Sequence, residues 1–221
     1  MANPKVRTAS MLAGSSVNSR KYTVPGTAAK GDTLLIWAYI ETTGITFAVA
    51  GGGWTKIAQT KQTSEGWEAV AFILPNWNGT TTEYTLEWGG AKKFNAGAIV
   101  VVESADPTTP LGAQSGANFR ENTPASKSAT VDGLTASRDG SLLITGAFND
   151  NGSLGGEASG WTEVGDQADS PQICSRNELA TKGAQPGVTH SLGTSSISLT
   201  LMIAIQPAPK AKGRRRFTSI G

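Results

Sequence analysis

The sequence predicts an all-β protein: a jelly-roll-like β-sandwich that is built from two internal sequence repeats and carries an extended basic C-terminal tail. Three observations predict this fold. Glycine contributes 27 of the 221 residues while charged residues contribute only 16%. Turn motifs such as Gly-Asp and Asn-Gly recur roughly every 8 to 12 residues, the spacing typical of sandwiches. One set of motifs also occurs twice along the chain.

The two copies of this set can be matched motif by motif. Residues 23–36 begin with Thr-Val-Pro-Gly and end with Leu-Leu-Ile, and residues 130–144 begin with Thr-Val-Asp-Gly and end with the same three residues, with Leu134 as one extra residue. A Gly-Trp-Thr motif at residues 53–55 recurs at residues 160–162. Repeats with a fixed order of motifs indicate a duplicated structural unit.

Residues 1–205 are therefore expected to form one sandwich. Repeat one spans about residues 20–104, a polar connection spans residues 105–125, and repeat two spans about residues 126–205. Because a sheet with one apolar face cannot cover that face alone, two copies of one strand set predict two packed sheets. We expect the halves to interleave as in a jelly roll, and two small tandem domains are the alternative.

The apolar residues of the repeats are candidates for the core. The Leu-Leu-Ile run is typical of a short buried strand, and a tryptophan at the matching place of both repeats is most simply a packing anchor. We therefore expect Trp54, Trp161, Leu35 and Leu143 to be structural core anchors.

Few residues of this chain have the chemistry of a catalytic or metal site. The chain has one histidine and one cysteine, His190 and Cys174, so a multi-histidine metal site and an internal disulfide are excluded. Glu83 and Glu87 alternate along one strand face, as solvated carboxylates do. Residues 149–152 carry oxygen ligands but lack the glutamate of a calcium-binding EF-hand loop. We predict that the protein is not an enzyme and uses no cofactor or metal.

A loop at residues 75–79 is the candidate ligand-facing site within the sandwich. Its composition, Pro-Asn-Trp-Asn-Gly, is that of a turn, so the indole of Trp77 is expected to be exposed between Asn76 and Asn78. An exposed indole can stack on a sugar face, which makes a carbohydrate-binding module the alternative function. Packing of Trp77 over its own loop is the simpler interpretation.

Residues 206–221 are predicted to be a Pro-containing basic arm. Its prolines cannot continue a strand and favour an extended linker. The arm contains five cationic residues and two apolar ones, which are the predicted partner-binding residues: Lys210, Lys212, Arg214, Arg215, Arg216, Phe217 and Ile220. The remainder of the chain has 14 basic against 17 acidic residues. Because this acidic body has no basic stripe, an acidic protein surface is favoured over nucleic acid as the partner, and a disordered solubilising end is the alternative.

The sequence carries no membrane or export signal that we can identify. No run of 18 apolar residues is present, and the N-terminus lacks a charged and then apolar signal pattern. We therefore expect no membrane insertion, no secretion by a signal peptide, and synthesis in the cytoplasm.

The assembled motifs resemble those of small β-sandwich proteins of tailed-phage virions, especially phages of actinobacteria. The resemblance rests on Gly-Asp-Thr-Leu-Leu-Ile at residues 31–36, Gly-Trp-Thr-Lys-Ile at 53–57 and Ala-Ile-Val-Val-Val at 98–102, and it extends over residues 20–205. It implies a non-enzymatic minor tail protein or capsid decoration (head-fibre) protein, assembled into the virion in the host cytoplasm. It further implies several symmetric copies or a homo-oligomer, attachment to other capsid or tail proteins, and contact with the host surface or its glycans. The resemblance does not extend to the basic arm, so it does not imply how the protein is attached.

Overall fold

The computed structural model describes residues 2–41, 44–62, 66–89, 93–112, 117–149, 159–165 and 172–209. Within these ranges the regular secondary structure consists of strands only, which confirms the predicted all-β class, and no helix long and apolar enough to cross a bilayer occurs there. The strands are β1 (Lys5–Val17), β2 (Ser19–Thr23), β3 (Thr33–Ile40), β4 (Ala48–Ala50), β5 (Thr55–Gln62), β6 (Trp67–Leu74), β7 (Glu83–Glu87), β8 (Lys93–Glu103), β9 (Ala117–Val131), β10 (Thr135–Ala136), β11 (Ser141–Asn149), β12 (Thr162–Gly165), β13 (Gln172–Ala180), β14 (Gly183–Ala184) and β15 (Val188–Ile205).

Two five-stranded antiparallel sheets form the body of the protein. The first sheet has the order β1-β8-β3-β6-β5, and the second has the order β12-β13-β11-β15-β9. Two smaller sheets, β2-β7-β4 and β10-β14, accompany them. Each large sheet draws all its strands from one half of the chain.

The two large sheets have the same strand order when the strands of the two halves are matched. β1 corresponds to β9, β8 to β15, β3 to β11, β6 to β13 and β5 to β12. Across the sandwich, β5 contacts β9 and β1 contacts β12. The first edge strand of each sheet therefore faces the last edge strand of the other sheet. A two-fold rotation about an axis parallel to the strands produces this arrangement, as at the interface of a symmetric dimer.

The expected interleaving of the two halves is wrong at the level of strand pairing. In the described ranges, no strand of residues 5–103 joins the sheet formed by residues 117–205; one isolated bridge, between Ala105 and Pro207, links the segments that follow β8 and β15. Each half can complete a sheet by itself because it contains all five strands of that sheet, and stacking the finished sheets then covers their apolar faces. The first sheet includes β1, which precedes the predicted start of repeat one, and β9 begins inside the predicted connection.

An aromatic and aliphatic layer fills the space between the two sheets. Tyr39 of β3 stacks on Phe148 of β11 with ring centroids 4.4 Å apart, and Trp67 of β6 lies 5.0 Å from the same ring. Leu142 and Ile144 of β11 join the cluster from the second sheet. The two halves therefore share one core.

The predicted core anchors are placed differently in the two halves. Leu35 is fully buried between the sheets, whereas Leu143 is 1% exposed and packs on the outer face of the second sheet. Trp54 and Trp161, 107 residues apart, are only partly buried, and each packs at the margin of an outer-face cluster. At this 107-residue spacing, the counterpart of Leu35 is Leu142. Because Leu134 is an extra residue, the motif match pairs Leu35 with Leu143, one position beyond Leu142. Neighbouring residues of a strand point to opposite faces, so Leu143 lies on the other face of its sheet.

The substitution Phe148→Ala tests whether the halves share one core. We expect it to lower the free energy of unfolding by about 3 to 5 kcal/mol, measured by urea denaturation followed by tryptophan fluorescence. Five of the six tryptophans lie in the first half, so a substitution in the second half shifts their transition only if the halves unfold together. An unchanged fluorescence midpoint would contradict a shared core; Lys127→Ala, at an exposed position, is the control.

Candidate functional site at the terminal end

The end of the sandwich at which β8 and β15 finish, which we call the terminal end, is the candidate functional site. The backbone amide of Asp106 donates to the carbonyl oxygen of Gln206 at 2.9 Å, and that of Gln206 donates to the carbonyl oxygen of Pro110 at 2.8 Å. These bonds fasten the segment that leaves the first sheet to the segment that leaves the second. Ala2 and Asn3 lie beside residues 207–209 at this end.

The buried carboxylate of Asp106, in the connection after β8, links the terminal end to the second half. Oδ2 of Asp106 accepts a hydrogen bond from Nη1 of Arg138 at 2.7 Å, and Oδ1 accepts backbone amides of Thr108 and Thr109 at 2.9 and 3.0 Å. Burial acts to raise the pKa of Asp106, but the amides of Thr109 and Thr108 and the guanidinium of Arg138 outweigh it and lower the pKa to about 2. Nη1 of Arg138 also donates to the carbonyl oxygen of Pro207 at 2.9 Å.

The first half has a similar arrangement at the same end. Arg7 forms an ion pair with Asp32 through Nε at 2.8 Å and with Glu103 through Nη2 at 2.6 Å. Oδ2 of Asp32 also accepts the backbone amide of Ala29 at 2.8 Å, which fixes the turn before β3. In both halves, therefore, a buried aspartate holds a turn and an arginine together.

An open groove lies next to Arg138. It has a volume of about 600 Å³ and is bounded by Asn3, the turn that contains Arg138 and Asp139, Lys182, and the segment 207–209. The groove was not predicted from the sequence, because its walls are four segments that lie far apart along the chain and share no motif for binding. Two cationic side chains, a carboxylate and two prolines give it the chemistry of a polar binding surface.

The predicted ligand-facing loop is closed. Trp77 is only 5% exposed and packs in the cluster on the outer face of the first sheet. Its Nε1 donates to the carbonyl oxygen of Thr81 at 3.0 Å, and its backbone amide donates to the carbonyl oxygen of Asp32 at 2.7 Å. Asn78 accepts the amides of Thr80 and Thr81 with its side chain.

The expectation that the indole of Trp77 is exposed is therefore wrong. The loop folds back onto the turn before β3, where burial of the ring and a hydrogen bond to its nitrogen stabilise it. Asn76 adopts a positive φ of 54° in this loop, a conformation that asparagine tolerates better than most residues. The loop offers no indole face for a sugar.

The predicted arm residues Lys210, Lys212, Arg214, Arg215, Arg216, Phe217 and Ile220 lie outside the described residues. The description ends at Pro209, directly beside the groove. Gln206, the first residue of the predicted arm, is buried, and its side-chain amide donates to the carbonyl oxygen of Thr109. The sandwich therefore holds the arm up to Pro207 at least.

His190 is buried in the second half and does not line the groove. Its Nε2 lies 3.1 Å from Oγ1 of Thr145, which itself donates to the carbonyl oxygen of Leu201 at 2.9 Å. Because the hydroxyl proton of Thr145 is used in that bond, Nε2 of His190 carries the proton of the neutral ring. Burial lowers the pKa of His190 to about 4. No group of three or more His, Cys, Asp or Glu side chains suited to a metal occurs in the described part of the chain.

Comparison with known proteins finds no family model, no curated protein and no solved structure that matches this chain.

The substitution Asp106→Ala tests the carboxylate at the terminal end. It removes acceptors for two backbone amides and for Arg138, so we expect the free energy of unfolding at pH 7 to fall by about 2 kcal/mol. Asp132→Ala, which removes an exposed partner of Arg120, is the matched control and is expected to change stability by about 0.5 kcal/mol or less. Equal effects of the two substitutions in urea denaturation would refute this assignment.

The burial of His190 predicts a loss of stability in mild acid. The unfolded chain takes up a proton near pH 6.5, whereas the folded chain resists until about pH 4. Stability is therefore full above pH 6.5 and falls by about 3 kcal/mol as the pH drops to 4. We expect His190→Gln to flatten this part of the stability profile, measured by chemical denaturation at several pH values; an equally steep profile in the variant would assign the effect to other groups.

Proposed function

We propose that the protein is a structural component of a tailed-phage virion, a minor tail protein or capsid decoration protein, that attaches to other virion proteins. In this proposal the sandwich is the body and residues 206–221 are the docking arm. The observation that carries the proposal is the position of residues 207–209, which leave the sandwich at the terminal end beside residues 2–3. Because the arm starts at one end of the sandwich, attachment through the arm leaves the rest of the surface accessible.

The way in which the sandwich uses its ionisable side chains supports a structural role. Asp32 and Asp106 hold turns and arginines, and Oε1 of Glu68 accepts the backbone amide of Gly44 at 2.6 Å. His190 is buried against Thr145. These groups serve the stability of the body, which is what a component of a particle requires.

The charge distribution supports an acidic protein as the partner. Residues 210–216 contribute five positive charges, whereas residues 1–209 contain 14 basic and 17 acidic residues. Opposite charges guide association and fix its register. An arm of this charge fits an acidic surface, including the body of a neighbouring copy, which is consistent with several copies on one particle.

The carbohydrate-binding alternative loses its main support. It relied on an exposed indole at residue 77, and that ring is buried. No other observation in the described residues favours a sugar as the ligand.

The proposal is tested on particles of the phage that encodes the chain. We expect purified particles to contain the full-length protein, detected by immunogold labelling and quantitative mass spectrometry. We expect a variant without residues 210–221 to be absent from particles, with an unchanged melting temperature because every described contact is retained. Removal from residue 210 leaves intact the hydrogen bond between Arg138 and Pro207.

Two controls separate charge from length. A variant with the five arm cations changed to Gln keeps the length and is expected to be lost from particles. The variant Phe217→Ser with Ile220→Ser keeps the charge and reports the contribution of the apolar anchors. Absence of the full-length protein from particles would contradict the virion role, and normal incorporation of the truncated protein would contradict the role of the arm.

A further inference from the structure

We propose that acid opens an outer layer of the second half, because protonation of His190 removes the conditions under which this layer stays on its sheet. The outer layer consists of residues 128–131 of β9 and residues 188–191 of β15, which pair with each other. The inference goes beyond the proposed function, since it concerns a movement within the sandwich and is independent of the arm and of any virion protein.

The outer layer lies over the sheet to which its own two strands belong. The register between β9 and β15 shifts twice within residues 191–198, and such irregularities bend a strand. Beyond the bend, the backbone amide of Thr130 donates to Oδ1 of Asn122 at 2.8 Å, and the carbonyl oxygen of Thr130 lies 3.0 Å from Oγ1 of Thr200. These contacts show that the ends of the two strands fold back onto the outer face of the second sheet.

Apolar contacts hold the outer layer in this closed position. Val131 and Val188 pack with Leu143 of β11 and with Met202, which lies in the part of β15 that belongs to the sheet. Separation of the layer from the sheet would expose these side chains to water, so apolar burial favours the closed state. Opening therefore requires a group under the layer that is more stable in water.

His190 is that group. Its ring is fully buried, its Nε2 lies 3.1 Å from Oγ1 of Thr145, and its Nδ1 has no hydrogen-bond partner among the described residues. In the neutral ring Nδ1 is only an acceptor, whereas in the protonated ring it is a second N–H donor and the ring is charged. A buried donor without an acceptor and a buried charge without a counterion both destabilise the closed state.

The strands in contact with His190 supply no counterion among the described residues. β11 and β15 contain no other titratable side chain. On β9, Glu121 lies on the inner face of the sheet, in register with a residue of the shared core. Lys127 is an exposed cation. Asp132, directly after β9, already forms an ion pair with Arg120 at 2.7 Å.

The two remaining strands of the sheet place no carboxylate opposite Thr145. By register on β13, Cys174 is opposite Thr145 and Arg176 lies two residues further on, and neither side chain is an anion in acid. Glu178 is about 13 Å beyond Cys174 along the same strand. Glu163 of β12 is exposed and lies two strands, about 10 Å, from Thr145. The protonated ring would therefore be an uncompensated charge in the closed state.

The first half has a corresponding outer layer with tyrosines in these positions. Tyr22 of β2 pairs with Tyr84 of β7, and when residue 23 is matched with residue 130, their counterparts are Ala129 and His190. Both tyrosines are buried, and a neutral phenol takes up no proton in mild acid. The molecule therefore contains a second outer layer that is expected to be insensitive to acid and serves as an internal control.

Hydrogen exchange of the full-length wild-type protein, measured by mass spectrometry, tests the inference. The intrinsic exchange rate and the measured rate together give the opening constant of each segment at each pH. From about pH 7.5 to about pH 5.5 we expect the opening constant of the outer layer to rise about tenfold, because the exposed ring binds a proton near pH 6.5 and the buried ring only near pH 4. We expect residues 19–23 and 83–87 to change by less than about twofold.

Two variants assign the effect to the ring. His190→Leu removes the titratable group and is expected to reduce the tenfold rise to less than about twofold. Lys127→Met, which removes an exposed cation next to the outer layer, is expected to retain the tenfold rise. Each variant is compared with itself at the two pH values, so a uniform change of its stability cancels.

The outcomes separate local opening from general effects of acid. Equal rises in the outer layers of both halves would overturn the inference, since the whole sandwich would then be unfolding. An unchanged opening constant in the second half, or a tenfold rise that persists in His190→Leu, would overturn it as well. If His190→Leu does not fold, the NMR titration of the single histidine in the wild-type protein decides. A midpoint well below pH 6.5 together with the tenfold rise supports the inference, and a midpoint near pH 6.5 overturns it.

Discussion

Burial of the two inner sheet faces against each other is the interaction on which the rest of the structure depends. Each half of the chain completes a five-stranded sheet, yet the face that carries Leu35 and Tyr39 would be exposed without the face that carries Ile144 and Phe148. Apolar burial of this kind is the main favourable term in folding. The two sheets therefore form one body, and their common strand order makes the sandwich resemble a two-fold dimer within a single chain.

This packing also creates the terminal end. When the sheets stack, the segments that follow β8 and β15 meet, and their backbone groups form hydrogen bonds with each other at Asp106 and Gln206. The buried carboxylate of Asp106 then orients Arg138. Most walls of the groove come from the second half and from residues 207–209 at the start of the arm, and the packing of the two halves adds Ala2 and Asn3.

The outer faces of the two sheets are covered in different ways. On the first sheet, the small sheet of β2, β7 and β4 covers the outer face with Tyr22 and Leu86, and Trp88 directly after β7 joins the same cluster. On the second sheet the described residues form two apolar clusters, around Leu143 and around Ala147, and the second half also buries the polar pair of His190 and Thr145. The outer face of the second sheet therefore buries a histidine, whereas the described part of the outer-face cluster on the first sheet contains tyrosine and tryptophan rings.

The sequence by itself determined the all-β class, the duplication of strand motifs and the burial of the Leu-Leu-Ile runs, because alternation, turn residues and apolar runs are local properties of a chain. It did not determine which face Leu143 would occupy, since one extra residue at Leu134 changes the face and only packing selects the outcome. It placed Trp77 in a turn but could not show that the turn folds back over the ring. The groove at Arg138 and Lys182 was decided by tertiary structure, because the pairing of β11 with β13 brings the turn before one strand beside the turn after the other, and no local property of the chain specifies that pairing.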